Sequence, residues 1–529
     1  MRDSWFSEGE AMAGTARMKA RALAVLGTGS DVGKSLITAG LCRLFVRAGF
    51  RVAPFKAQNM SNNSFVTPDG KEIGRAQALQ AQACGLDPDA DMNPILMKPE
   101  SDRSAQIVVQ GKVWGKAEAR TYFEQRAELA ERVRESYERL AGQYDVMIIE
   151  GAGSAAEMNL RDRDLANWSA VEMADARVVL VADIDRGGVF AQVIGTLDLL
   201  APHERARVIG IIINKFRGDA TLFDDGVRFI EQRTGLPILG VVPMLRGLML
   251  DQEDAVDIER HRYAVFAKDR VNIAVVLLPR MSNFTDFNQL VAEPDVVVRY
   301  AAVPADLDGA DVIVIPGSKN TIEDLAYVRQ SGMAESIGRH ASDGAEVVGI
   351  CGGYQMLGRS IADPAGVEAG GEVDGLGLLD VTTQLAKTKI TQLVEAESLE
   401  IEPKRHLTVR GYFIHMGQTT GRDMRHCFHV RPLNLGGGQL EGREVERFDG
   451  TVSESGLVWG TYLHGVFDLP EFRRAWINRI RSRKALTPLA DAVSRDISQS
   501  LGSQLDAWAD HLQLHLKVMP LIQAVSTRL

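Results

Sequence analysis

Two short stretches carry side chains spaced for chemistry. The first is Gly27-Thr-Gly-Ser-Asp-Val-Gly33-Lys34-Ser35. A glycine-rich loop that opens a helix points backbone N–H groups at phosphates, and the helix N-terminus adds positive partial charge. Gly27, Thr28, Gly29 and Gly33 would form the cradle for ATP. Lys34 would neutralise the β/γ-phosphates, and the Ser35 hydroxyl would ligate Mg2+. The spacing follows the longer GxxxxxGK[ST] form, because Thr28 stands where the shorter form has its first glycine. The second stretch is Gly349-Ile-Cys351-Gly-Gly353. A nucleophile on a tight strand-to-helix turn needs small neighbours, and a helix N-terminus favours a thiolate there. The N–H groups of Gly352 and of Gly317, in Pro316-Gly-Ser318, would hold an oxyanion. A thiolate needs a base. His464, in Thr461-Tyr-Leu-His-Gly465, is the best placed of ten histidines, and His415 is its competitor.

Four further residues belong with the phosphate loop. Glu150 ends the apolar run Val146-Met-Ile-Ile-Glu150, and a carboxylate at the C-terminal edge of a strand faces the ligand crevice. It is expected to order Mg2+ or water, with Glu72 as a second metal carboxylate. Lys56 follows a strand and would reach the γ-phosphate or a developing acyl phosphate. Asn214, in Asn214-Lys215, would contact the adenine edge.

The elements that must position these groups are legible as alternation. Strands are expected at Ala22–Leu26, Arg51–Phe55, Val146–Ile149, Val178–Ala182, Ile209–Ile213 and Ile238–Val241. Helices are expected near Ser35–Ala48, Ile73–Cys84, Ala117–Leu140 and Thr221–Arg233. Such alternation reads as βαβ units around a buried parallel sheet. A second series has strands at Ile273–Leu278, Val312–Ile315 and Val347–Ile350, then strand-like segments near Gly375–Thr383, Leu407–His415 and Gly456–Leu463. Near the C-terminus Val493, Ile497, Leu501, Leu505, Trp508 and Leu512 mark one face of an amphipathic helix, expected to pack on the second domain.

Composition narrows the function classes. The 529 residues carry 60 basic and 70 acidic side chains, a net charge of −10. An acidic chain without a basic run is a poor candidate for nucleic acid. No apolar run is long enough to span a membrane. Four dispersed cysteines without a CxxC pair suit neither a disulfide framework nor a zinc site, and point to the reducing cytoplasm. A phosphate loop and a thiol nucleophile on one chain divide a task. One half activates a carboxylate with ATP, and the other releases ammonia from glutamine through a thioester.

At this point the chain resembles the cobyric acid synthase family, the glutamine-hydrolysing amidotransferases of cobalamin type. The resemblance is carried by Lys56-Ala-Gln-Asn-Met-Ser-Asn-Asn-Ser64, Met92-Asn-Pro-Ile-Leu-Met-Lys-Pro99, Glu150-Gly-Ala-Gly-Ser154, Val181-Ala-Asp-Ile-Asp-Arg-Gly-Gly188 and Ile213-Asn-Lys-Phe-Arg-Gly-Asp219. It continues through Ser282-Asn-Phe-Thr-Asp-Phe287, Pro316-Gly-Ser-Lys-Asn-Thr321, Gly349-Ile-Cys-Gly-Gly-Tyr-Gln-Met-Leu-Gly358 and Gly460-Thr-Tyr-Leu-His-Gly465. It implies an α/β architecture: a P-loop, dethiobiotin-synthetase-like doubly wound parallel sheet, then a class I glutamine amidotransferase-like domain. The expected division is a flexible N-terminal extension at 1–20, the amidoligase domain at 21–245, a linker at 246–270, the amidotransferase domain at 271–484 and a helical extension at 485–529.

The resemblance implies amidation of the b, d, e and g carboxylates of adenosylcobyrinic acid a,c-diamide. The substrates are then a corrinoid polycarboxylate, glutamine and ATP, with Mg2+ and no bound prosthetic group. Cys351 becomes the nucleophile and His464 its base. Class I relatives usually carry a glutamate two residues after the histidine, and here Gly465-Val466 follows, so the group orienting His464 is left open. Similarity to dethiobiotin synthetase puts Lys56 on phosphate and Glu72 and Glu150 on Mg2+. Asn59, Asn62, Arg161 and Arg163 would meet the carboxylates and amides of the substrate. Two rivals share parts of this pattern: cobyrinic acid a,c-diamide synthase, and a partitioning-type P-loop ATPase with no use for Cys351.

Overall fold

The computed structural model describes residues 20–526 except 102–103, 119–121, 123, 246–247, 249, 251–257, 259–260, 402–404, 423, 434–446 and 498–500. The expected extension at 1–20, all but its last residue, and much of the expected linker therefore lie outside the described residues. Among the described residues no helix is long and apolar enough to cross a membrane.

The first domain is built on six parallel strands in the order Ile238–Pro243, Val208–Phe216, Arg177–Asp183, Arg21–Gly27, Val146–Glu150, Val52–Phe55. Runs such as Val146-Met-Ile-Ile-Glu150 are buried throughout, because helices cover both faces of the sheet. The helix Lys34–Arg47 starts directly after the phosphate loop, at Gly33, which holds φ 91°. A Cβ there would lie 2.3 Å from Asn214 Nδ2, so glycine is needed for both conformation and space.

Between Phe55 and the strand at Val146 the chain departs from simple alternation. Strands Gln58–Met60, Ile95–Pro99, Ser104–Val109 and Lys112–Glu118 form a separate four-stranded sheet. Ser64–Val66 and Glu72–Gly74 pair as a small hairpin. The helix expected over Ala117–Leu140 runs instead over Arg126–Ala141. Its expected first residues belong to a strand that turns at Gln110-Gly111, both at positive φ, the conformation a two-residue hairpin requires.

The second domain centres on Val296–Ala301, Val271–Val276, Val312–Ile315, Glu346–Ile350, Val458–Thr461 and Thr451–Val452, parallel except at the last pair. A long antiparallel hairpin, Val381–Ser398 with Thr408–Gly421, flanks it.

The C-terminal segment corrects an expectation. The apolar face is split between the helices Ala492–Ile497 and Leu501–His515. Leu505, Trp508 and Leu512 pack not on the second domain but in the core of the first, with Ile37, Leu41 and Leu44. Trp508 Nε1 donates to Leu36 O at 2.7 Å.

The domains meet through polar contacts close to both chemical centres. Ser64 N donates to Asn283 Oδ1 at 3.0 Å, and Phe284 N donates to Asn63 Oδ1 at 3.2 Å. Lys319 pairs with Glu100 at 2.8 Å.

Candidate functional site

On the first domain the phosphate loop, the strand end at Glu150 and Lys56 converge. Ser35 Oγ donates to Glu150 Oε1 at 2.7 Å, and Lys56 Nζ sits 2.9 Å from the same oxygen. Gln77 and Gln80 donate to Glu150 Oε2 at 3.2 and 2.6 Å. Burial would raise the Glu150 pKa, but Lys56 and the hydrogen bonds from Gln80 and Ser35 outweigh it and hold the carboxyl below its ordinary range. Lys34 Nζ donates to Gly29 O at 2.9 Å and to Gly153 O at 2.8 Å. A cavity of about 600 Å3 opens here, lined by Lys34, Ser35, Lys56, Asn59, Glu150 and Arg163 among others.

Two expected members are elsewhere. Glu72 is buried in an ion pair with Lys98 at 2.6 Å and with Lys389 of the second domain, and does not line this cavity. Burial opposes its ionisation, but the two ammonium groups win and hold it far below the carboxylate range. It thus stands away from the phosphate loop, held by lysines outside the cavity, which corrects its assignment to the metal. Asn214 lies behind the loop, its Nδ2 donating to Val32 O at 2.9 Å, and is not part of the lining. It braces the cradle, as does Lys215, which donates to Asp31 O. Gly27 and Thr28 are also set back, Thr28 N donating to Val181 O at 2.9 Å.

The substrate-side residues divide. Asn59 lines the cavity and donates to Gln77 Oε1 at 3.0 Å. Arg161 and Arg163 line it too, although Arg161 is paired with Glu204. Asn62 is outside it, donating to Pro99 O at 3.4 Å.

On the second domain Cys351 has φ 51° and ψ −106°, a strained backbone at the elbow between strand and helix. Such strain, about 1–3 kcal/mol, is characteristic of functional sites. Gly353 makes the elbow possible, since a Cβ there would lie 1.9 Å from Ile315 O. Gly317, Gly352 and His464 gather around Cys351. A Cβ on Gly352 would lie 2.8 Å from Ser318 N, and one on Gly317 would lie 3.3 Å from His464 Cε1.

The group that orients His464 is Asp286, whose Oδ2 is 2.7 Å from Nδ1. Asp286 Oδ1 also accepts from Gly465 N at 3.0 Å. Burial would lower the His464 pKa, but Asp286 and a hydrogen bond with Cys351 push it up to about 10. Asn283 Nδ2 lies 3.2 Å from His464 Nε2. Both Asp286 and Asn283 fall in the Ser282–Phe287 segment, which carried the family resemblance but no assigned role. His415, the competitor, has its Nδ1 2.9 Å from Gly417 O, and burial, with help from Arg447 and His464, drives its pKa down to about 3, whereas the hydrogen bond from Cys351 goes to His464. His415 stacks on Tyr462 at 3.8 Å.

Two family models match. Residues 23–254 match the CobQ/CobB/MinD/ParA nucleotide binding domain, and residues 272–472 match the CobB/CobQ-like glutamine amidotransferase domain. Cobyric acid synthase of Citrobacter koseri is 50% identical over 504 residues, covering 94% of this chain and 97% of its own. Cobyric acid synthase of Syntrophobacter fumaroxidans is 45% identical, covering 94% and 98%. That of Salmonella agona is 48% identical, covering 94% and 97%. A phosphate loop and a buried Cys–His–Asp constellation on one chain, with likeness over nearly the whole length, mean that the chain belongs to the cobyric acid synthase family.

Proposed function

We propose that the chain amidates the b, d, e and g side-chain carboxylates of adenosylcobyrinic acid a,c-diamide, consuming ATP and glutamine in cobalamin biosynthesis in the cytoplasm. The observation that carries this reading is the joining of the two centres. Ser64, in the polar segment next to Asn59 of the ATP-side cavity, hydrogen-bonds Asn283, the neighbour of His464.

A substrate carboxylate oxygen attacks the γ-phosphorus of ATP, forming an acyl phosphate and ADP. Lys34 and Lys56 balance the charge on the transferring group. Ser35 and Glu150 fit Mg2+, since they offer hard oxygen donors 2.7 Å apart and Mg2+ favours one or two such ligands beside substrate phosphates. The metal would supply charge neutralisation there. Met60, Met158 and Leu160, all exposed on the cavity rim, offer apolar contact to a macrocycle, and Asn59 and Arg163 offer polar contact to its side chains. On the other domain the proton that leaves Cys351 rests on His464 before glutamine arrives, and the sulfur attacks the glutamine amide. The N–H groups of Gly317 and Gly352 stabilise the oxyanion. Collapse releases ammonia and leaves a thioester, which water hydrolyses to glutamate. Ammonia then displaces phosphate from the acyl phosphate.

Mass spectrometry of the a,c-diamide after incubation with the protein, Mg·ATP and glutamine tests this. Each amidation exchanges OH for NH2 and lowers the mass by about one unit. A ladder ending at four amidations is expected. No shift on the a,c-diamide, with a shift on the unamidated acid, would favour the a,c-diamide synthase reading instead. ATP-dependent self-association without any amidation would favour the partitioning ATPase.

A further inference from the structure

His464 belongs to the second domain, yet consecutive residues of the first domain reach toward it by two separate routes. They sit at the start of the small hairpin of Ser64–Val66 with Glu72–Gly74. The hairpin is fastened across the domain boundary by the ion pair of Glu72 with Lys389, and Val66 is buried with Tyr412 and Ile414 of the second domain. The first route runs through Asn283, whose Oδ1 accepts from Ser64 N at 3.0 Å. A backbone N–H can only donate, so the Asn283 amide must turn its oxygen to Ser64 and its nitrogen to the imidazole. That nitrogen lies 3.4 Å from Nδ1 and 3.2 Å from Nε2 of His464. Asn63 returns the contact. Its Oδ1 accepts from Phe284 N at 3.2 Å, at the start of the turn Phe284–Phe287 that brings Asp286 to Nδ1 of His464.

The second route runs through rings. Phe65 packs on Tyr412 with centroids 5.6 Å apart, and the Arg75 guanidinium stands 5.0 Å over the Phe65 ring. Tyr412 lies nearly parallel to the imidazole of His464, at 5.3 Å and 18°. The backbones of Tyr412 and His464 exchange hydrogen bonds of 3.1 and 3.0 Å. An imidazole that works between Asp286 and Cys351 must hold both its plane and its position, since an error of about 1 Å costs about 10²-fold in a positioned reaction. Tyr412 restrains the plane and the Asn283–Asp286 turn restrains the position, and each is braced from the first domain.

We propose that Asn63 and Phe65 of the first domain are positioning residues for the base of the second, Asn63 through the Asn283–Asp286 turn and Phe65 through Tyr412, so that His464 is set for Cys351 only while the hairpin is seated. The proposal rests on Cys351 and His464 being the glutaminase pair. Asn63 and Phe65 line neither the ATP-side cavity nor the narrow cavity beside Cys351, so their replacement leaves both sets of substrate contacts in place. Asn283 is a poorer probe, because it lines the cavity beside Cys351 and holds a left-handed backbone, φ 51° and ψ 44°.

The test uses the full chain with Asn63→Leu, which removes the acceptor, Phe65→Ala, which removes the ring, and Phe65→Tyr, which keeps it. Glutamine hydrolysis and ammonia-driven amidation are measured on the same preparations. In Asn63→Leu and Phe65→Ala the kcat for hydrolysis should fall at least about tenfold. The KM for glutamine and the rate of ammonia-driven amidation should stay within about twofold, because only the placing of the base has changed. Phe65→Tyr should recover most of the lost kcat. Alkylation of Cys351 by iodoacetamide at neutral pH, located by peptide mass spectrometry, should slow at least about tenfold in the first two variants, since the thiolate is the nucleophile and His464 holds its proton. Unchanged hydrolysis and alkylation in both would overturn the proposal. Should a variant lose hydrolysis and amidation together, Phe65→Leu, which keeps apolar bulk without the ring, takes its place, and a parallel loss there too would reduce the hairpin to a structural contact and overturn the proposal. No hydrolysis of glutamine by the unmodified chain would instead overturn the glutaminase reading.

Discussion

A fully buried imidazole without an anionic partner stays neutral, because burial disfavours its charged form. His415 behaves this way, and His464, equally buried, does the reverse because Asp286 lies 2.7 Å from its Nδ1. The sign of the pH effect follows. With its pKa raised from 6.5 to about 10, His464 keeps its proton through neutral pH, and its contribution is lost only as pH rises through about 10. In the proposed mechanism that proton is handed to departing ammonia. In Asp286→Asn the strongest upward influence is gone and burial remains. The alkaline limb of kcat/KM for glutamine should therefore move down by at least about one unit, with at least about a tenfold loss at neutral pH. Ammonia-driven amidation measured alongside should lose far less. An unmoved limb would remove Asp286 from the mechanism. The proposed metal role of Glu150 has its own test. In Glu150→Gln the Mg2+ concentration for half-maximal ammonia-driven amidation should rise at least about tenfold, and an unchanged requirement would take Glu150 off the metal. Cys351, His464 and Glu150 were readable because each stands at or just past a strand end beside a glycine, Lys34 and Ser35 because they follow Gly33 into a helix, and Lys56 because it follows a strand directly. Asp286 was not, since it meets His464 from 178 residues away and no local pattern encodes that approach. Glu72 misled for the same reason, as its partner Lys389 is 317 residues distant.

Secondary structure shows the same division between local and distant signals. The parallel strands announced themselves as unbroken apolar runs, a consequence of helices on both faces. The sheet between residues 58 and 118 did not, because none of its strands is an unbroken apolar run: Gln58–Met60 and Lys112–Glu118 are largely polar, and Lys98 and Gln106 interrupt the other two. That insertion carries Asn59, Ser64 and Lys98 toward the second domain, so the least legible elements are the ones that connect the two centres. The elbow at Cys351 depends on a close approach of helix to strand. Gly353→Ala would drive a methyl group to 1.9 Å from Ile315 O, so the helix Gly352–Leu357 must shift. Displacement of that helix moves both Cys351 and the Gly352 N–H. A positional error of about 1 Å costs about 10²-fold in a positioned reaction. Glutamine-driven amidation by Gly353→Ala should fall by at least that much, read as initial rates against ammonia-driven turnover of the same preparation. Retention of the glutamine-driven rate would mean that the elbow tolerates a different backbone.

The chain closes on itself. After the amidotransferase domain it returns to the first domain and lays the helix Leu501–His515 against Lys34–Arg47, whose first residues are the Lys34 and Ser35 of the phosphate loop. The sequence displayed the apolar face but not its destination, since amphipathicity specifies that a face is buried and not against what. Two kinds of contact hold the helix. Arg43 and Arg47 pair with Asp506 and Asp510 at 2.6–2.8 Å, but Asp506 and Asp510 are 41 and 69% exposed. Exposed pairs of this sort contribute about 0–1 kcal/mol. Trp508 is 4% exposed and lies over Gly40, where any Cβ would come within 2.8 Å of its ring nitrogen. Truncating a buried tryptophan costs about 3–5 kcal/mol. In urea titrations, Trp508→Ala should thus destabilise the ATP domain by about 3–5 kcal/mol, and Asp506→Asn by less than about 1 kcal/mol. Because the phosphate loop leads directly into the helix that Trp508 covers, Trp508→Ala should also weaken nucleotide binding in calorimetry, while glutamine hydrolysis at Cys351 should keep its KM. Equal destabilisation by the two substitutions would mean that the salt bridges, and not apolar packing, fasten the C-terminal helix to the ATP domain.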